Sequence, residues 1–64
     1  MVENVFKLRV NKKLSQAELA KKIHVTQQFI QQLESGKRTP SLKVAKRLAE
    51  ALGVTVDDLI KKAG

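Results

Sequence analysis

The sequence predicts a compact all-α domain of five short helices, and three observations predict it. Ala, Leu, Lys, Gln and Glu dominate the 64 residues, with a single proline, a composition that favours helix. Apolar residues recur at spacings of three and four. A Ser or Thr stands ahead of each later apolar run, at Ser15, Thr26, Ser41 and Thr55, where a helix N-cap belongs.

Residues 1–64 read as one domain without repeats or linkers. Chains of fewer than roughly 70–80 residues usually need disulfides, a metal or very tight helix packing. The chain has no cysteine and one histidine, His24, so disulfides and thiolate metal sites are excluded. Tight packing of short helices remains.

The first helix is expected over Val2–Lys12, where Val2, Val5, Phe6 and Val10 recur with Leu8 on the flank. Ser15 and Glu18 form a capping box that starts the second, which buries Leu19, Ala20 and Ile23 and stops at His24. Thr26 caps a third helix from Gln27 to about Ser35, closed by a left-handed Gly36. Ser41 caps a fourth, with Leu42, Ala45, Leu48, Ala49 and Leu52 as its apolar face and Gly53 at its end. Thr55 and Asp58 cap a short fifth helix anchored by Leu59 and Ile60.

Thirteen Lys and Arg against six Asp and Glu give a net charge of +7. That suggests a polyanionic partner, nucleic acid before an anionic membrane. No window approaches the roughly 18 apolar residues of a membrane span, and no signal peptide is visible. A membrane-active peptide would gather its basic residues on one face. Here Lys7, Lys12, Lys21, Lys37, Arg38, Lys46 and Lys61 scatter, so no membrane partner is expected, and liposome sedimentation tests that.

Helices two and three are separated by only His24–Thr26, which suits a steep crossing, as in a helix-turn-helix over about residues 16–35. On a wheel of about 100° per residue, Gln27, Gln28, Gln31 and Gln32 form one unbroken arc opposite Ile30, Leu33 and Phe29. A glutamine amide carries an acceptor and two donors. It can pair with the N6 and N7 edge of adenine, or contact guanine or a phosphate. The plain alternative is a solvated helix face.

The stretch SQAELAKKIHVTQQFIQQLESGKRTPS, followed by LAEALGVTVDDLI, resembles the Cro/repressor-like helix-turn-helix family, its phage-repressor members most of all. The resemblance covers nearly the whole chain. It implies a lambda-repressor-like five-helix DNA-binding domain, a transcriptional regulator that acts as a repressor. It implies a homodimer on a near-palindromic operator in double-stranded DNA. By position it implies base reading by Gln27, Gln28 and Gln32, and DNA-backbone contacts by Gln16, Thr26, Gln31, Lys37 and Arg38. Arg9 and Glu34 match a structural pair joining helices one and three, and Val56, Leu59 and Ile60 match dimer contacts. The cytoplasm of a bacterium, or a plasmid or phage origin, is the expected setting.

The family usually has glycine where this chain has His24 and often where it has Lys13. Both places tend to need a left-handed backbone, which histidine tolerates better than lysine. Phe29 replaces a small polar residue at the edge of the glutamine arc, where it either seals the core or covers a thymine methyl.

No nucleophile elbow, phosphate loop or metal-ligand spacing is present, so no enzyme and no cofactor is expected. The competing reading is an antitoxin that binds its own operator and a toxin protein. Such proteins usually carry an extra segment for the toxin, none is obvious here, and a pull-down of a co-encoded partner separates the two.

Overall fold

Five helices follow one another in the computed structural model, which describes residues 4–60 apart from the side chain of Ile60. They are α1 (Val5–Asn11), α2 (Gln16–Lys22), α3 (Gln27–Glu34), α4 (Leu42–Leu52) and α5 (Val56–Ile60). The caps expected from the sequence form. The Ser15 hydroxyl accepts from the Glu18 amide at 3.0 Å while the Glu18 carboxylate accepts from the Ser15 amide at 2.8 Å. Thr55 and Asp58 make the same reciprocal pair at 3.1 Å each way. The Thr26 and Ser41 hydroxyls accept from Phe29 and Val44 amides. The bond from the Ser15 backbone, then that from its side chain, lowers the Glu18 pKa from its ordinary value. The stability that the carboxylate adds to the cap is therefore fully present above the ordinary carboxylate range and lost as pH falls through the depressed value.

Three of the four connections share one plan, seen in the stretches KKLS (Lys12–Ser15), IHVT (Ile23–Thr26) and LGVT (Leu52–Thr55). Each runs a helix-end residue, a left-handed residue, an apolar residue and the hydroxyl cap of the next helix. The left-handed positions are Lys13 (φ 59°), His24 (φ 61°) and Gly53 (φ 70°). Their amides donate to Val10, Lys21 and Glu50 carbonyls, three residues back, at 2.9, 3.4 and 3.2 Å. The next amides, of Leu14, Val25 and Val54, donate five residues back to Arg9, Ala20 and Ala49 at 3.1, 2.9 and 2.9 Å. This is the Schellman closure, completed by an apolar side chain folded back on the helix it ends. Leu14, Val25 and Val54 are accordingly half-buried against the core. After α3 the same closure occurs at Gly36 (φ 81°), but Lys37 takes the apolar position and Arg38, Thr39 and Pro40 follow before the Ser41 cap.

The backbone thus keeps the left-handed turns without glycine at two sites. A non-glycine residue there costs about 1–2 kcal/mol, against roughly 0.5–1 kcal/mol of extra unfolded-state entropy for glycine. Lys13→Gly and His24→Gly are each expected to stabilise the fold by up to about 1 kcal/mol, Lys13→Gly more, because histidine is the better tolerated of the two. Thermal melts check this, and a lower melting temperature in either variant would mean the present side chain packs usefully.

Every helix contributes to the core: Val5 from α1, Leu19 and Ala20 from α2, Ile30 and Leu33 from α3, Ala45, Leu48, Ala49 and Leu52 from α4, Leu59 from α5, with Ile23 from the turn. Three expected core residues lie outside it. Phe6 and Val10 are 53% and 48% exposed and Leu42 is 66% exposed. In α1 the inward face belongs to Val5, Leu8 and Arg9, whose partner lies on α3, so Phe6 and Val10 turn outward. Phe6 still has work there, since the Arg9 guanidinium lies 5.3 Å from its ring centre, within cation–π range. Leu42 opens α4, and side chains lean toward the helix N-terminus, which carries it past the core. The expected helix start at Val2 lies outside the described residues, and Val5 is the first helical residue observed.

Candidate nucleic-acid interface

Helix α3 packs on α2 and α1 through Ile30 and Leu33, exposed 0% and 1%. That fixes which way its other face points. Gln27, Gln28 and Gln31 are exposed and Gln32 is half-buried. Gln28, Gln31, Gln32, Ser35 and Lys37 line one shallow concavity. The glutamine arc read from the wheel is therefore a real outer surface, continuous with the basic loop that carries Lys37 and Arg38, both exposed. Phe29 is half-buried against the core, in keeping with a seal at the edge of the arc.

The scaffold under this face is polar. Arg9 Nε donates to Glu34 Oε2 at 2.6 Å and its Nη2 to Oε1 at 3.3 Å, while Nη1 donates to the Leu14 carbonyl at 2.8 Å. The Arg9 and Glu34 side chains are 11% and 7% exposed. A planar guanidinium suits this, because one group serves a carboxylate fork and a carbonyl together. Gln16 joins them, its Nε2 donating to Glu34 Oε1 at 2.9 Å. The start of α2, the end of α1 and the end of α3 are thereby tied at one carboxylate.

Two residues expected at the DNA backbone thus have internal duties. Gln16 uses one amide hydrogen on Glu34 and keeps the other. The Thr26 oxygen accepts from the Phe29 amide at 3.1 Å and its own hydrogen remains to donate. Each thus retains a donor, the kind of group that a phosphate contact uses. Sequence reasoning missed a further link. Arg38 Nε donates to Gln32 Oε1 at 2.9 Å, and its guanidinium lies 5.7 Å from the Phe29 ring centre.

Of the expected dimer contacts, Leu59 is fully buried in the protomer's own core and offers a second copy no side-chain surface. That part of the expectation is corrected. The fifth helix is amphipathic, and Leu59 is the residue that docks it. Val56 is half-buried, and the Ile60 side chain lies outside the described residues.

A short helix capped by Thr26, lying across α2 with its polar arc exposed, defines a helix-turn-helix domain of the DNA-binding kind. The chain belongs to the helix-turn-helix family of Cro/C1 type, whose description matches residues 5–59. It is 46% identical over 46 residues to an HTH-type transcriptional regulator of Methanocaldococcus jannaschii, covering 72% of this chain and 70% of that protein. It is 41% identical over 56 residues to Multiprotein-bridging factor 1c of Arabidopsis thaliana, covering 88% of this chain but 38% of the plant protein. Among solved structures it is similar to the SinR protein/SinI protein complex (TM-score 0.89, 25% identity, 97% of this chain, 62% of that one). It is also similar to the clp gene regulator ClgR from Corynebacterium glutamicum (TM-score 0.85, 26% identity, 91% of this chain, 62% of that one). The chain thus spans 38% of the plant protein and 62% of each of the two solved chains. Relatives from archaea and a plant do not single out the bacterial or phage origin expected from the sequence. No helix among the described residues is long and apolar enough to cross a membrane.

Proposed function

We propose that this chain is the DNA-binding part of a transcriptional repressor that reads the major groove of double-stranded DNA with α3. The observation that carries the reading is the arc of Gln27, Gln28, Gln31 and Gln32 on a helix whose Ile30 and Leu33, on the opposite side, are fully buried. In such motifs the N-terminal end of the second helix meets base edges first. Gln27 and Gln28 occupy that end, and Gln32 lies one turn beyond Gln28. Thr26, Gln16, Gln31, Lys37 and Arg38 surround the arc with donors suited to phosphate. One such helix reads few base pairs, so binding as a homodimer on a near-palindromic site fits, with half-sites about 10–10.5 bp apart. Val56 and its surroundings on α5 are the proposed contact between copies. The role is binding and not catalysis: Glu18, Glu34 and Asp58 are committed to caps and an ion pair.

Gln28→Ala is expected to cost about 1–3 kcal/mol on the preferred duplex and little on random DNA. Lys37→Ala should weaken both alike and flatten the dependence of log K on log salt by about one unit. Salt titrations of both variants on both duplexes measure this. An equal loss on both duplexes from Gln28→Ala would make the arc a phosphate-facing or solvated surface and overturn the reading.

A further inference from the structure

Gln32 differs from the other three glutamines of the arc. It is half-buried where Gln27, Gln28 and Gln31 are exposed, and one residue holds it at two points. The Arg38 amide donates to the Gln32 carbonyl at 3.2 Å, and Arg38 Nε donates to the side-chain Oε1 at 2.9 Å. The guanidinium is itself restrained over the Phe29 ring, 5.7 Å from its centre. Guanidinium nitrogens only donate, so the Gln32 atom facing Arg38 must be its oxygen. The amide of Gln32 therefore has a fixed sense, with Oε1 toward Arg38 and both Nε2 hydrogens left out of that bond.

We infer that Arg38 is a positioning residue for base recognition: it orients Gln32 to present donors, so that Gln32 selects an acceptor edge, guanine before thymine, and disfavours adenine. The inference rests on the reading of α3 as the base-contacting helix. Bidentate recognition of adenine needs the glutamine oxygen to accept from N6 while the nitrogen donates to N7. Here one lone pair of that oxygen is already taken by a cation, and an adenine N6 amino group using the other would sit donor beside donor. Guanine offers N7 and O6, both acceptors, and thymine offers O4. The two hydrogens of Nε2 suit guanine, and the charge on Arg38 favours the same acceptors. Gln28, exposed and without such a clamp, keeps both senses open. The glutamines of one arc thus read different bases because one of them is held from behind.

The test first locates the base pair whose preference disappears in Gln32→Ala, using selection from random duplexes. Wild type, Arg38→Ala and Lys37→Ala are then titrated against four duplexes that differ only at that pair. The wild type is expected to prefer guanine over adenine by roughly fivefold or more. Arg38→Ala should weaken all four and also bring adenine level with guanine or above it. Lys37→Ala, which removes the same charge one residue away, should weaken all four with the order unchanged. An Arg38→Ala variant that keeps the wild-type order would make Arg38 a phosphate contact alone and overturn the inference. So would a wild-type preference for adenine. If Gln32→Ala alters no position while Gln28→Ala does, this inference falls and the reading of α3 stands. If the wild type prefers no sequence at all, both fall together.

Discussion

Replacing Arg9 by methionine is expected to destabilise the domain by about 3–5 kcal/mol, more than replacing Arg9 and Glu34 together. The reason is the burial of the pair, with side chains 11% and 7% exposed. Removing the guanidinium strands the Glu34 carboxylate with only Gln16 to solvate it, and leaves the Leu14 carbonyl without its donor. A second change, Glu34→Leu, removes the stranded charge and recovers much of the loss. At roughly 0.05–0.15 kcal/mol per residue, a chain of 64 residues has little to spare, so Arg9→Met alone should leave a substantial unfolded fraction at room temperature. Urea unfolding of both single variants and the double variant measures the coupling. Additive effects would mean the two charges act independently. The functional side follows from geometry: the same carboxylate ties α1 and α2 to the end of α3, so a double variant that folds should bind DNA less selectively than its stability implies.

The second large effect belongs to Leu59. Truncation to alanine is expected to cost about 2–5 kcal/mol, the range for deleting a buried leucine, because Leu59 is fully enclosed in the core of its own protomer. The loss should not depend on protein concentration. Val56→Ala, at a half-buried position on the same helix, should change monomer stability less and cooperative DNA binding more. Denaturation of both variants at two protein concentrations separates these roles. A Leu59→Ala loss that vanished on dilution would return Leu59 to the contact between copies.

These two residues also show what was legible in the sequence. Capping is local chemistry, so Ser15, Thr26, Ser41 and Thr55 declared every helix start after the first within the few residues that follow each of them. The arc on α3 was legible because a single helix imposes its own periodicity. The turns at Lys13 and His24 were marked by the resemblance, as places where the family carries glycine, and both residues do take a left-handed backbone. Apolar periodicity misled in α1, where the inward position is held by a charge whose partner is 25 residues away. Counting Phe6 and Val10 as core ignored that competitor. Leu59 was legible as an anchor of α5, whereas its assignment to a dimer surface came from resemblance and not from the chain. The clamp of Arg38 on Gln32 was not legible, since no local pattern says which of four amides will be held.

The shared plan of the three tight connections has a consequence for how such a chain can change in length. In KKLS, IHVT and LGVT every residue closes one helix, fills the core or opens the next, so none is spare. One residue added or removed there would cost the closure, the core contact or the cap. The connection after α3 is the exception, because Arg38, Thr39 and Pro40 stand between closure and cap. Insertions and deletions can be absorbed there with the five helices left in phase. That slack falls beside the glutamine arc, so lengthening or shortening the chain at its most permissive point would alter the reach toward a ligand before it altered the fold.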